Sequence, residues 1–215
     1  MKKWLSGIWN TSLPGKSTSG TTDISEVTFV VLDTETTGMD PDIDRILSIG
    51  ALRLSGGRIR VRETLEIFIA QDHFDRRSVP IHGILRQGPN PRVSEKEALL
   101  QLEEYVGDAI IVGHHIHFDL EMLRRALWRH ELPPLDNPIL DTGILYKRTL
   151  LKSPVVQKKA SYSLDELAHK FDLSCRDRHT ALGDAYITAL AFLKILTRLK
   201  EKRDFTLKQL LRMGG

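Results

Sequence analysis

The chain has 215 residues, 41% hydrophobic and 27% charged, a balance typical of an ordinary globular protein and enough to bury one sizeable core. Its single cysteine, Cys175, excludes an internal disulfide and has no CxxC partner for a structural zinc site, which fits a reducing cytoplasm. No apolar stretch approaches membrane-spanning length, so no membrane partner is expected, and a formal charge of +3 with a pI near 9.0 is too mild to define a partner alone.

In chain order, residues 1–25 read as a flexible leader: the run STSGTT has no periodicity, and the two N-terminal lysines are not followed by the continuous apolar run of a signal. Trp4, Leu5, Ile8 and Trp9 would share one face of a short helix, a surface suited to docking on the domain or on a partner. Residues 29–32 are an apolar β-type run ending at Asp33 and Glu35, which alternation places on the same side. Two carboxylates at a strand end repel each other, so the stretch reads either as a strand with an acidic turn or as paired ligands for a cation.

Residues 46–54 and 58–69 predict two further strands joined by a hairpin at Gly56 and Gly57, completing an antiparallel meander. An irregular connection over 78–85 follows. Ser94 with Glu97 signals a helix start, and Ala98, Leu99, Leu102, Tyr105 and Val106 continue at helical spacing. Residues 109–112 predict a short buried strand, followed by a helix carrying Leu120, Leu123 and Leu127 with Asp119 near its start, and 139–141 another short strand. The basic stretch 147–159 reads as loop around a helix. Ser163 with Glu166 starts another helix, a long one begins at Ala181 with Asp184 near its N-terminus, and Thr206 with Gln209 caps a short terminal one. Meander first, then helices alternating with short strands, predicts a mixed β-sheet flanked by α-helices.

Three segments carry the chemistry: DTETTG at 33–38, GHHIHFD at 113–119 and HTALGD at 179–184. Together they resemble the three exonuclease motifs of the DnaQ-like 3′–5′ exonucleases, the DEDDh branch of the ribonuclease H-like superfamily, as found in the epsilon subunit of bacterial replicative DNA polymerase. The resemblance spans roughly residues 29–196 and implies a ribonuclease H-like fold, with Asp33, Glu35, Asp119, His179 and Asp184 at the five key positions. Where the family usually carries Asn in its second motif, this chain has His115.

Asp33, Glu35, Asp119 and Asp184 are hard oxygen ligands suited to Mg²⁺ or Mn²⁺, and four acids suit two ions. A metal pair stabilises both the attacking and the leaving oxygen of a phosphoryl displacement. The family resemblance implies that Asp33 bridges the two ions. Histidine is the side chain best suited to a general base near neutral pH, the role that His179 would take toward the attacking water; a helix-capping histidine is its structural alternative. His114, His115 and His117 lack the further ligands of a zinc site and are explained by the second motif. The resemblance further implies that Thr36, Thr37 and Met39 hold the terminal nucleoside and that His82, within an HGI element, lies beside the substrate. Basic pairs at Arg76/Arg77, Arg124/Arg125, Lys147/Arg148, Lys158/Lys159 and Arg176/Arg178 are available to a polyanion, or are solvated surface charge.

The expected activity is metal-dependent 3′–5′ exonucleolytic hydrolysis of single-stranded or frayed ends, DNA favoured, with 3′-terminal nucleic acid as substrate and a DNA polymerase as candidate partner. The alternatives are a 3′–5′ exoribonuclease, a ribonuclease H-like endonuclease, and a catalytically silent nucleic-acid-binding or polymerase-associated module. Residues 26–200 would form the catalytic domain and 201–215 a helical tail. Neutralising Asp184 should relieve acid repulsion and raise stability without metal.

Overall fold

The computed structural model describes residues 23–150 and 159–215. The apolar face formed by Trp4, Leu5, Ile8 and Trp9, most of the proposed leader, and residues 151–158 of the basic stretch lie outside the described residues.

Six strands form one sheet in the order β4-β3-β2-β1-β5-β6. β1 (Phe29–Thr36), β2 (Ile46–Ser55) and β3 (Arg58–Ile69) make the antiparallel meander, while β5 (Ile110–Gly113) runs parallel to β1 and β6 (Ile139–Asp141) parallel to β5. The two-residue strand β4 (Arg92–Val93) extends the other edge. The β2–β3 hairpin turns on Gly56 and Gly57, both at positive φ (60° and 69°), the conformation that glycine adopts without a Cβ clash.

Both faces of the sheet are covered, so β1 reads as a continuous apolar run whose alternate residues enter different cores. Val30 and Leu32 pack with Leu99, Leu102, Met122 and Leu123 from α2 (Glu95–Val106) and α3 (His117–Arg129). Phe29 and Val31 pack with Leu145, Phe171, Ala185, Phe192 and Leu210. That second layer is built from α4 (Thr142–Thr149), α5 (Leu164–Phe171), α6 (Ala181–Lys202) and α7 (Leu207–Gly214). The connection over 78–85 contains the one-turn helix α1 (Val79–His82), with Pro80 in its first turn.

Helix starts follow their capping residues. Ser163 and Thr206 form reciprocal capping boxes with Glu166 and Gln209, whereas Ser94 accepts from the Glu97 amide but its own amide does not donate to the Glu97 carboxylate. α6 runs through the proposed tail boundary to Lys202, and α7 seats Leu210, fully buried, in the core shared with β1.

β2 passes directly beneath the start of α6. A Cβ on Gly50 would lie 2.2 Å from the carbonyl carbon of Ala181 and the amide nitrogen of Leu182, so only glycine permits this contact. Gly50 is the β2 partner of Asp33. The close approach therefore fixes the first turn of α6, with Asp184 in it, against the acid-bearing end of β1.

Candidate active site

Alternation along β1 aims Asp33 and Glu35 at the face covered by α6. Carboxylate oxygens of Asp33, Glu35 and Asp184, one from each residue, all lie within 4.8 Å of one another. Among the described residues this is the one group of three or more acid, histidine or cysteine side chains arranged to hold a metal ion, and it contains no histidine. An all-carboxylate set fits a hard divalent cation such as Mg²⁺ or Mn²⁺ and disfavours zinc.

Asp119 is held separately. Thr34, whose side chain points to the opposite face of β1, donates to Asp119 Oδ1 from its amide (2.9 Å) and its hydroxyl (2.7 Å). Asp119 is buried in the first turn of α3, close enough for its charge to act on Asp33, but it stands outside the group of three. The loop before α3 is tied down by Asp141, which accepts from the Ile116 amide and also caps α4 through the Ile144 amide.

The electrostatics are those of acids crowded without enough counter-charge. Burial, then the fields of Asp119, Asp184 and Glu35, raise the pKa of Asp33 well above the carboxylate range. Burial and then Asp184 push Glu35 up to about 7, with Arg178 opposing. Burial lifts Asp119 to about 6 despite the two Thr34 hydrogen bonds. A divalent cation would relieve all three.

Arg178 supplies the positive charge within the site. Its Nη1 pairs with Asp184 Oδ2, while Nε and Nη2 reach the Asp165 carboxylate at 2.6 and 3.2 Å. Burial opposes its charge, but the hydrogen bonds and fields of Asp165 and Asp184 outweigh that and hold its pKa above the ordinary arginine value. Four other cations from the predicted pairs have local acid partners: Arg77 pairs with Asp75, Arg124 with Glu121, Arg125 with Glu121 and Asp42, and Lys159 with Glu166.

His179 is exposed, on the loop entering α6, and its amide donates to Asp184 Oδ1 at 3.3 Å. Its φ of 63° lies in the left-handed region, a conformation that costs a non-glycine residue energy and is concentrated at functional sites. His115 also has positive φ (56°), which Asn and His tolerate better than most residues. Its Nε2 lies 3.0 Å from the Tyr162 carbonyl oxygen and 3.1 Å from Ser161 Oγ. His114 sits beside it, 2.9 Å from both Thr142 Oγ1 and the Tyr162 carbonyl oxygen, and burial with the neighbouring His115 lowers its pKa to about 4. Both rings line a cleft of about 510 Å³ that also contains Asp33, Asp184 and Arg178.

None of the predicted nucleoside contacts, Thr36, Thr37, Met39 and His82, lines the cleft that holds Asp33 and Asp184. Thr36 donates its hydroxyl to the Gly38 carbonyl; Thr37 gives its hydroxyl to Asp44 and its amide to the Arg45 carbonyl. Met39 is 77% exposed. His82 is buried at the end of α1, where its Nδ1 accepts from the Ile84 amide and its Nε2 has no protein partner. Burial lowers its pKa. It lines a second cavity, of about 180 Å³, with Ser48, Phe68, Arg92, Thr180 and Ala181, beside the start of α6.

Residues 30–192 match the family described as Exonuclease. The chain belongs to the exonuclease family. It is similar to the DNA polymerase III PolC-type protein of Thermotoga maritima, with 36% identity over 188 residues covering 86% of this chain but 13% of that one. It is 35% identical to the DNA polymerase III subunit epsilon-like protein of Rhodobacter capsulatus, covering 87% of this chain and 26% of the relative. With the DNA polymerase III subunit epsilon of Aquifex aeolicus it shares 32% identity, covering 80% of this chain and 82% of that subunit. The chain thus spans a small part of the PolC-type relatives and most of the Aquifex subunit, in agreement with the DnaQ-like motifs. Among solved structures, Escherichia coli Exonuclease I in complex with a dT13 oligonucleotide superposes with a TM-score of 0.70 at 21% identity, covering 82% of this chain and 42% of that one. Exonuclease X in complex with 5′ overhanging duplex DNA gives 0.65 at 22%, covering 87% and 99%. The exonuclease fold is therefore ribonuclease H-like, and among its described residues no helix is long and apolar enough to cross a membrane.

Proposed function

We propose that this chain is a 3′–5′ exonuclease that uses two divalent ions, Mg²⁺ or Mn²⁺, to remove nucleoside 5′-monophosphates from single-stranded or frayed ends, preferentially of DNA. The observation that carries the proposal is the convergence of Asp33, Glu35 and Asp184 from β1 and α6, three acids whose crowding is unfavourable without a cation. Asp33, Glu35 and Asp184 would hold the ions, and Asp119 would complete the set with the oxygen not bonded to Thr34. When bound, the ions supply charge for the attacking and leaving oxygens of an in-line displacement.

The remaining steps belong to the chain. His179 accepts the proton of the attacking water. The water oxygen bonds to phosphorus as the bond from phosphorus to the 3′ oxygen of the penultimate nucleotide breaks, and that oxygen takes a proton from solvent to become the new 3′-hydroxyl. Met39 stacks on the terminal base without reading its identity, and the backbone around Thr36 and Thr37, together with His82, confines the nucleoside. A DNA substrate is supported by relatives named as DNA polymerase III components and by structural neighbours solved with DNA. The same relatives support a DNA polymerase as partner, and the single cysteine fits a cytoplasmic site of action.

A time course with Mg²⁺ on single strands labelled at either end, with a circular strand as control, tests this reading. A 5′ label should pass through a descending ladder, a 3′-terminal label should appear at once as mononucleotide, and the circle should persist. Internal cuts in the circle would refute it, as would release of the 5′ label first.

A further inference from the structure

Arg178 lies on the loop between α5 and α6, one residue before His179, with its side chain only 16% exposed. Its guanidinium bridges two acids of different kinds. Asp165, in the first turn of α5, has a side chain 62% exposed; that of Asp184, in the first turn of α6, is 9% exposed. Among the described residues no other lysine or arginine pairs with Asp33, Glu35, Asp119 or Asp184. The second Asp184 oxygen accepts from the His179 amide, so both oxygens are engaged.

We propose that Arg178 is a built-in counter-ion that occupies Asp184 in the metal-free protein, and that a divalent ion binds only as Arg178 withdraws from Asp184 while remaining on Asp165. The inference rests on the reading that Asp184 holds such an ion. The guanidinium and the ion compete for one carboxylate oxygen and repel each other across it, so metal affinity carries the cost of moving the arginine. Asp165 lowers that cost. It sits at a helix N-terminus where an acid is favoured, and it engages Nε and Nη2, leaving Nη1 as the group that must move. The arrangement makes Arg178 a positioning residue that keeps Asp184 ordered without metal and sets the ion concentration at which the site fills.

The test is calorimetric Mn²⁺ binding and metal-free melting of the parent, Arg178→Gln, Asp165→Asn and the double variant. Arg178→Gln should bind Mn²⁺ roughly ten-fold more tightly while melting earlier in chelator, since Asp184 loses its partner. Asp165→Asn should bind more weakly, because the arginine then has only Asp184 to hold. In the Arg178→Gln background the Asp165 change should have no further effect, which separates the bridge from a general loss of negative charge. Unchanged or weaker binding by Arg178→Gln overturns the inference, as does an Asp165 effect that persists without the arginine. Should Arg178→Gln not fold, Arg178→Lys decides: it keeps the charge but loses the fork, so tighter binding supports the inference and equal or weaker binding overturns it. A parent that binds no Mn²⁺ removes the metal reading and this inference together, whereas a binding parent with an unresponsive Arg178→Gln removes the inference alone.

Discussion

Replacing Glu35 by glutamine takes one negative charge out of the acid group at nearly constant size. Burial, then the field of Asp184, moves the Glu35 carboxyl from 4.5 to about 7. A carboxyl raised in the folded state is protonated in both states below pH 4.5, loses its proton first from the unfolded chain as pH rises, and is ionised in both above pH 7. Its contribution to stability is therefore fully present below about pH 4.5 and lost as pH rises through 7. The displacement corresponds to at most roughly 3 kcal/mol, and solvent screening of a partly buried side chain reduces this to about 1–3 kcal/mol. Glutamine has no such dependence, so without metal the variant should match the parent near pH 4 and exceed it by that amount at pH 8. In melting temperature this is roughly 2–12 °C for a chain of this size. Urea unfolding in chelator at pH 4, 6 and 8 measures it. Saturating Mn²⁺ should reverse the order, because the parent gains binding free energy that the variant, short of one ligand, does not. A variant no more stable than the parent at pH 8 in chelator would refute the crowding of acids.

Asp184→Asn should act in the opposite direction on metal-free stability: Asp184 has its own counter-ion in Arg178, so the relief expected from motif chemistry gives way to a lost ion pair, seen as earlier melting in chelator, and turnover should fall by orders of magnitude. Gly50→Ala must displace the start of α6, and should cost about 1–3 kcal/mol by denaturant unfolding and roughly 10²-fold in single-turnover cleavage. Thr34→Val removes one of the two Thr34 donors that help hold the Asp119 pKa down, so the acid limb of the pH–rate profile should move to higher pH. His179→Ala should slow chemistry by roughly 10²–10⁴-fold with little change in Mn²⁺ affinity. Because His179 has a φ of 63°, His179→Gly should be about 1 kcal/mol more stable than His179→Ala, while turnover stays equally low in both.

The elements that sequence reveals here are those whose cause is local. Alternation across residues 29–35 places Asp33 and Glu35 together, the glycine pair places the hairpin, and the boxes at Ser163 and Thr206 place two helix starts. Thr34 was within reach too, since the same alternation sends it toward α3 and Asp119. Gly50 carries no local mark, because its reason is the backbone of Ala181 and Leu182, about 130 residues away in sequence. Arg178 reads as one of several dispersed cations; its partners Asp165 and Asp184 become neighbours only when α5 and α6 pack. His115 is intelligible in the same way: the left-handed backbone that suits asparagine accepts a histidine, and the ring finds Tyr162 across the cleft.

Anomalous diffraction at the manganese edge, from crystals grown with Mn²⁺ and a nucleoside 5′-monophosphate, tests the central claim most directly. The account predicts two peaks roughly 3.5–4 Å apart, both touching Asp33, with Glu35 and Asp184 on either side. Manganese at His114 and His115, or no peak on the three carboxylates, would contradict it.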